Sequence, residues 1–579
     1  MDLSERENTF NPPIGYVVGG GLEANLQVRL TVPAQQVQEG AFVVMDSGAW
    51  RFYGLVTDLQ LGSTDPRFAD EQSEQRLPPR LANLLHGQTL FTNLAVMPAL
   101  MMERGLEPGS PEYASWRQTH AEPEKAKPLT VKTIPSHHAP VKLADEADIA
   151  QIFGKENKAE IFRVGETREQ GHPVCLDLDK LIQRSSGIFG TTGSGKSFLA
   201  RMILAGIIHA NHASTLIFDM HNEYGPDGTS SDTGAEVPGL KGKFSSRVSL
   251  TGLGRDTDFG RLNADITLEI SYQDLYPEDI LQLTEELNLK ETTASTLDAL
   301  FHQFHKDWFS QFLSMESGTQ VEDENGNKHP APESVEFWAD QAGINRMAAS
   351  ALLSKLGRLK NKAYLVDRKE SSGLDQIVNL LKKGEHVVLS FGRFDSDLDY
   401  LLVTNLITRK IRSAWEDWTT EYLKTREKAK EPRPLVIVVE EAHKLLNREM
   451  ASQTIFSTIA REMRKYYVTL LIIDQRPSQI DDEVMSQLGT RISGSLGDED
   501  DISAVLSGLA GRQALKGMLA KLQPKEEVLM LGWGVPMPIP IRSRRYDQTF
   551  WVELLSETGT KKNLEERVKR LGWASDDPE

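Results

Sequence analysis

One stretch limits what this chain can fold into more than any other: "GIFGTTGSGKSFLARMIL", residues 187 to 204. A short apolar run, a glycine-rich turn and an amphipathic helical pattern follow one another. Within it Gly190, Thr191, Thr192, Gly193, Ser194, Gly195, Lys196 and Ser197 match G-x-x-x-x-G-K-[ST]. The glycines let backbone N–H groups curl around phosphate oxygens, and the following helix presents its positive end to the same charge. Lys196 is expected to reach the β- and γ-phosphates of ATP, and Ser197 to hold Mg²⁺. Phe198 closes the nucleotide-binding segment.

Such a loop works at the edge of a parallel sheet, and the rest of the sequence can supply one. From about 165 to 220, and again from about 384 to 545, apolar strands alternate with amphipathic helices, the pattern of an α/β parallel sheet. Between these halves Leu297, Leu300, Phe301 and Phe304 fall at i, i+3, i+4 and i+7. So do Leu352, Leu353, Leu356 and Leu359. Each set makes one helix face, which predicts a helical insertion at about 255–383. "VEDENGNKHPAPE" within it reads as an exposed loop. Ahead of the core, "IGYVVGG", "LQVRLTV", "GAFVVMDSGAWRFYGLVTDLQL" and "PLTVKTIP" are short alternating runs broken by Gly and Pro. They predict a small β-barrel or sandwich with polar, Pro-rich insertions. The expected division is a barrel domain at 1–160 and an ATPase core at 161–579, with a C-terminal tail from about 546. At 579 residues, 39% hydrophobic and 26% charged, the chain has room for both.

Three further strands are expected to end where the loop begins. "LVIVVEEAHKLL", residues 435 to 446, is a buried-looking run that stops in adjacent carboxylates. Burying one carboxylate is costly, so a pair at a strand tip points to a bound cation or a polarised water. In P-loop NTPases a neighbouring strand presents one acid to the Mg²⁺ shell while another polarises the attacking water. Glu440 is assigned the metal side and Glu441 the water. "STLIFDMHNEYG" ends in Asp219, His221 and Glu223, which are expected to support Mg²⁺ and water, with Asp219 counted beside Ser197 and Glu440 around the metal. "VTLLIIDQRPSQI" ends in Asp474, Gln475 and Arg476, and Gln475 is the expected γ-phosphate sensor.

Other readings fall away on composition. The sole cysteine, Cys175, cannot form an intramolecular disulfide or a Cys-based zinc cluster, which fits a reducing interior. No apolar run reaches eighteen residues, and "MDLSERENTFNPP" has neither the basic nor the apolar region of a secretory leader, so the expectation is a cytoplasmic protein with no membrane partner. A formal net charge of −18 argues against indiscriminate coating of nucleic acid, while leaving room for a local basic channel.

Taken in order, the "IGYVVGG" opening, "GIFGTTGSGKS", "FDMHNEY", "VVEEAH" and "DQRPSQI" resemble the HerA family of the HerA–FtsK superfamily of ATPases. "EEAH" stands where most such motors carry Asp-Glu. The resemblance covers nearly the whole chain. It implies a HerA/ATP-synthase-type N-terminal barrel and a RecA-like P-loop motor core with a helical insertion. It further implies a homohexameric ring, ATP sites between subunits, and translocation of double-stranded DNA through the pore. Motors of this kind work with a separate effector, such as a NurA-type or other nuclease in DNA end processing, or a nuclease or sirtuin-type NAD hydrolase in anti-phage (antiviral) defence. Nothing in the chain resembles those effectors. Interfacial ATPases use an arginine finger. The candidates are Arg461 and Arg464, three apart in "AREMRKYY", and Arg184 in "LIQRSSG", which resembles an arginine the family carries there. Which of them serves its own nucleotide and which a neighbour's is open at this level. For DNA, the basic stretches are Lys241 and Lys243 in "GLKGKFSSR" and Arg542, Arg544 and Arg545 in "IPIRSRRYD". The leading expectation is thus an ATP-hydrolysing DNA motor. The alternatives are a ring that mainly scaffolds and regulates an effector enzyme, and a protein- or conjugation-related pump of the same superfamily.

Overall fold

The structure is a computed structural model. It describes residues 12–556, apart from 65–89, most of 105–126 and of 230–235, the segments 255–263, 323–326, 368–372 and 451–454, and positions 23, 157, 395 and 510. The start of the helical insertion near 255, the Pro-rich barrel insertions and the end of the C-terminal tail lie outside the described residues.

The N-terminal alternating runs become β1 (Gly15–Gly19), β2 (Leu26–Leu30), β3 (Phe42–Ser47), β4 (Trp50–Ser63), β5 (Leu90–Glu103), β6 (Leu129–Thr130) and β7 (Pro140–Leu143). They pair antiparallel in the order β2-β1-β7-β3-β4-β5-β6. β2 also pairs with β5, Val28 opposite Leu94, which closes a barrel and leaves β6 as an appendage. Closure leaves none of its six strands with an unpaired edge. The barrel interior is apolar, filled by Val28, Met45, Phe52, Val56, Leu94 and Val141. A short helix, Glu146–Phe153, links it to the core. Its N-cap Asp145 and Asp148 form a reciprocal capping box.

The core is one twelve-stranded sheet. Its strands are β8 (Ile161–Thr167), β9 (Pro173–Asp177), β10 (Ser186–Phe189), β11 (Ser214–Asp219), β12 (Val248–Leu253), β13 (Ile266–Leu268), β14 (His386–Ser390), β15 (Leu435–Glu440), β16 (Val468–Asp474), β17 (Thr490–Ser493), β18 (Glu527–Gly532) and β19 (Ile539–Ser543). The order is β13-β12-β14-β11-β15-β16-β10-β17-β18-β19-β8-β9. From β13 to β17 every pairing is parallel. β15 and β16 are buried along their whole length, as strands covered on both faces must be, and this is why they read as unbroken apolar runs. The expectation of a parallel sheet up to residue 545 needs correction at its end. β18 and β19 run antiparallel, and β19 pairs with the β8–β9 hairpin. Hairpin-length connections such as the one joining β18 to β19 cannot return a strand to parallel register.

Helices cover the sheet. α1 (Lys196–Ala210) follows the glycine-rich loop, α2 (Asp397–Thr425) buries Trp415 with its indole N–H donating to Arg433 O at 3.0 Å, and α3 (Ile455–Glu462) packs through Phe456 and Ile459. The segment between β13 and β14 is mainly helical. It buries Leu297, Leu300, Leu352, Leu356 and Leu359, while Phe301, Phe304 and Leu353 pack at the margin. "VEDENGNKHPAPE" differs from a plain loop: Gln320–Glu322 and Lys328–Pro330 form a small antiparallel hairpin.

On β14 the sheet buries a histidine whose protonation opposes folding. His386 on β14 is fully buried, with Nδ1 3.0 Å from Thr215 Oγ1, and burial lowers its pKa to about 3, with Arg247 and Arg433 acting in the same direction. Because the folded-state value lies below the unfolded value of about 6.5, this contribution is complete above pH 6.5 and is lost as pH falls toward 3. Thermal melts should therefore show stability declining between pH 7 and pH 5, and His386→Asn should have a shallower decline over the same interval. Parallel curves would remove His386 from the acid response.

Candidate functional site

The glycine-rich loop leaves β10 at the middle of the sheet, between β16 and β17. It is fastened on both sides: Gly190 N donates to Asp474 O (3.3 Å), and Thr191 N to Ser495 O (3.1 Å). A Cβ on Gly190 would lie 2.4 Å from Ser194 Oγ, so the loop closes too tightly for any side chain there. Gly195 begins α1 at φ +89° with no side-chain cap. The first amides of a fifteen-residue helix are thus left without a capping oxygen, the state in which they serve a phosphate. Lys196 is nearly buried, and its Nζ lies 3.7 Å from Glu441 Oε1.

The strand tips then meet. Glu440 ends β15 at 3% exposure. Its Oε1 accepts from Tyr224 OH at 3.3 Å, and its Oε2 has no protein partner. Burial lifts its pKa to about 8, with the charges of Asp219 and Glu223 acting the same way and Lys196 opposing. A buried carboxylate with an orphaned oxygen beside other acids fits a divalent cation, which would supply the missing partner. Ser197, in the first turn of α1, and Glu440 are the residues that fit Mg²⁺. Glu441, one residue on, has φ +48°, a backbone conformation disfavoured for a side chain of this size, and it turns out of the strand direction. Gln475 Nε2 donates to its Oε1 at 2.8 Å, while Gln475 Oε1 accepts from Thr192 Oγ1 at 2.5 Å. Gln475 therefore bridges the loop and the carboxylate. Asp474 is fully buried and accepts from the His443 backbone N–H (2.7 Å), from His443 Nδ1 (2.9 Å) and from Arg476 N (2.6 Å). The first of the causes that raise the His443 pKa is the hydrogen bond to Asp474.

Asp219 takes a different part from the expected one. Its carboxylate accepts from the backbone N–H groups of Glu223, Tyr224 and Gly225, at 2.8, 2.9 and 3.2 Å. Those bonds shape the turn that delivers Tyr224 to Glu440. Asp219 thus spends its oxygens on forming a turn, whereas Glu440 keeps one oxygen without a protein partner. His221 is exposed.

The family model for the central domain of helicase HerA matches residues 162–411. The DNA double-strand break repair helicase HerA of Saccharolobus solfataricus is 24% identical over 83% of this chain and 81% of its own length. That of Sulfolobus acidocaldarius is 24% identical over 96% of this chain and 97% of its own. The chain is thus similar to the HerA family over that central domain and, at 24% identity, over most of its length. Among solved structures, the bacterial conjugative coupling protein TrwBΔN70 aligns over 70% of this chain and 92% of its own at 13% identity, with a TM-score of 0.44. The family is one of P-loop ATPases, and the loop and paired acids described above sit where such an enzyme needs them.

The candidate finger arginines of this ATPase lie elsewhere. Arg184, Arg461 and Arg464 line one cleft of about 490 Å³, together with Arg491 and Asp482. Arg184 stacks on Trp533 at 4.3 Å, and Arg461 reaches Glu483 at 3.3 Å. Arg491 is 5% exposed and donates to the carbonyls of Met485, Val505 and Ser507. Arg184 precedes β10 and Gly190 follows it, so the cleft opens at the opposite edge of the sheet from Lys196, with roughly 13 Å of strand between. None of the three reaches its own loop.

Two of the five basic residues expected at DNA are half-buried and committed to acidic partners. Lys241 pairs with Asp265 (2.7 Å) and donates to Val248 O (2.9 Å). Arg544 is 11% exposed and joins Glu553 and Glu156. Lys243 lies over the Trp551 ring at 5.6 Å. Arg542 and Arg545 are the exposed pair, with Arg542 3.8 Å from Glu166. Sequence reasoning missed Tyr224, Tyr400, whose hydroxyl donates to Glu440 O at 3.0 Å, and His443, although the His was visible in "EEAH". Among the described residues no helix is long and apolar enough to cross a membrane.

The orphaned oxygen of Glu440 has a measurable cost. Glu440→Gln should raise the melting temperature of the nucleotide-free protein by a few degrees, since it removes a buried group with an unmade bond. The same variant should bind Mg²⁺–ATP more weakly. A variant less stable than the wild type without nucleotide would show that Glu440 is satisfied by some other protein group.

Proposed function

We propose that this ATPase is a motor on double-stranded DNA, built as a homohexameric ring with its ATP sites between subunits. The observation that carries the reading is the meeting of Lys196, Glu441 and Gln475 at one sheet edge, with Glu441 3.7 Å from Lys196 and 2.8 Å from Gln475, while three candidate finger arginines gather at the other edge. A chain with its phosphate loop and its arginines on opposite edges completes a site only with the next copy. That geometry supports a trans role for Arg184, Arg461 and Arg464. The names of the relatives, DNA double-strand break repair helicases, support DNA as the polymer moved.

In this reading Lys196 leaves Glu441 to bind the β- and γ-phosphates, and the α1 amides and Thr191, Thr192 and Ser194 enclose them. Ser197 and Glu440 hold Mg²⁺, which when bound draws charge from the transferring phosphoryl. Glu441 accepts the proton of the attacking water, and Gln475, linked to Thr192, reports the γ-phosphate to Glu441. A neighbour's arginine neutralises the developing charge. Any cutting of DNA, in end processing or phage defence, belongs to a separate effector such as a nuclease.

Two measurements test this. Lys196→Ala should lose nucleotide binding, whereas Glu441→Gln should keep it and lose hydrolysis on the order of a hundredfold or more. Wild-type turnover by Glu441→Gln would overturn the assignment. On the DNA side, affinity for duplex should fall steeply with salt, and replacing Arg542 and Arg545 together with Gln should flatten the log–log slope by roughly two while sparing basal hydrolysis. A nucleotide-loaded ring that binds no duplex at low salt would favour a ring that scaffolds an effector enzyme.

A further inference from the structure

Glu441 is gripped from two sides. Gln475 and Lys196 face Oε1, and on the other side His443 Nδ1 lies 3.5 Å from Oε2. That imidazole is not free to turn. Its Nδ1 is 2.9 Å from Asp474 Oδ2, a carboxylate with no solvent contact, and the same oxygen accepts the His443 backbone N–H at 2.7 Å. An ionised carboxylate only accepts, so Nδ1 carries the proton and the ring plane is set by Asp474. The ligand atoms of Glu441, His443 and Asp474 fall within 4.8 Å of one another, as a cation site would require. Asp474 Oδ2 is already committed to two N–H groups, so a proton, not a metal, joins it to His443.

The backbone adds a second constraint. Glu441 holds φ +48°, and Lys444 N donates to its carbonyl at 2.9 Å. A disfavoured conformation persists only where its surroundings over-determine it. The two bonds from His443 to Asp474, one through the main chain and one through the ring, tie the residues after Glu441 to the tip of β16. That tip also carries Gln475.

We propose that Asp474 and His443 form a positioning pair that holds Glu441 in its strained conformation and fixes the direction of its carboxylate for the hydrolytic step. Asp474 orients His443, and His443 limits the rotation of Glu441 from the side that Gln475 does not reach. The arrangement has the logic of a carboxylate that orients an imidazole, applied here to a third group. It rests on Glu441 being the group that receives the proton of the attacking water.

The test is a panel in the full-length protein: His443→Ala, His443→Asn, Asp474→Asn and Glu441→Gln, each measured for kcat and KM of ATP hydrolysis, for affinity toward a fluorescent ATP analogue with Mg²⁺, and for melting temperature. His443→Ala should lower kcat on the order of ten- to a hundredfold, with KM, nucleotide affinity and melting temperature near wild type. His443→Asn should recover most of that loss, because the Asn side-chain N–H occupies nearly the position of Nδ1–H toward Asp474. If Asp474→Asn does not fold, the two His443 variants decide alone. Glu441→Gln slow but His443→Ala at full speed overturns the positioning pair and leaves the reading of Glu441 standing. Glu441→Gln at full speed overturns that reading itself. A His443→Ala loss shared by affinity and melting temperature, or one that Asn does not recover, makes His443 an ordinary packing residue and overturns the proposal.

Discussion

The contact between Lys196 and Glu441 is the point around which the rest of the core is organised. At 3.7 Å, and with both side chains about nine-tenths shielded from solvent, their attraction is roughly 4 kcal/mol at an intermediate effective dielectric. Removing each ion from water costs several kcal/mol, so the pair does little better than break even. That near-balance matters. A cation held by a deep energetic well could not be drawn across to phosphate, whereas one held at little net gain can exchange partners when a more highly charged ligand arrives.

Around that contact the acids are graded by their surroundings. Asp219 is saturated by three backbone amides, Glu440 keeps one oxygen without a partner, and Glu441 is bracketed by Gln475, Lys196 and His443. Three carboxylates of the same chemical type thus sit in three settings: one shapes a turn, one keeps an oxygen without a partner, and one is held between an amide, an ammonium and an imidazole. What separates them is which lone pairs the fold has already used. The same economy explains the tyrosines. Tyr224 and Tyr400 donate to the side chain and the main chain of Glu440, and so fix its position without neutralising it.

Much of this was legible in the chain. The glycine-rich loop, the buried strands ending in Glu440, Asp474 and Asp219, and the helix faces of Leu297, Leu300, Leu352, Leu356 and Leu359 are local patterns. A strand covered on both faces must be apolar throughout, and a loop wrapping phosphate must have glycine where a Cβ would collide. What was not legible was direction and commitment. Lys241 and Arg544 look like any other basic residues in a basic stretch, yet one closes on Asp265 and the other on Glu553 and Glu156. Asp219 looks like a metal ligand because a strand ends there, but whether its oxygens are spent depends on a turn that leaves no periodic trace.

Sequence alone determined the class of chemistry and the order of the strands' burial, since both follow from short runs of residues whose spacing is set by local backbone geometry. Only the tertiary structure decided which residues share an edge. The crossing order β11-β15-β16-β10 brings together tips that are hundreds of residues apart in places, and puts Arg184, Arg461 and Arg464 at the far end of the strands whose near ends carry the loop. Hydrogen bonding between strands carries no signature in any one of them. The neighbours of a parallel strand are chosen by the whole sheet, and with them the partner of every side chain at its tip.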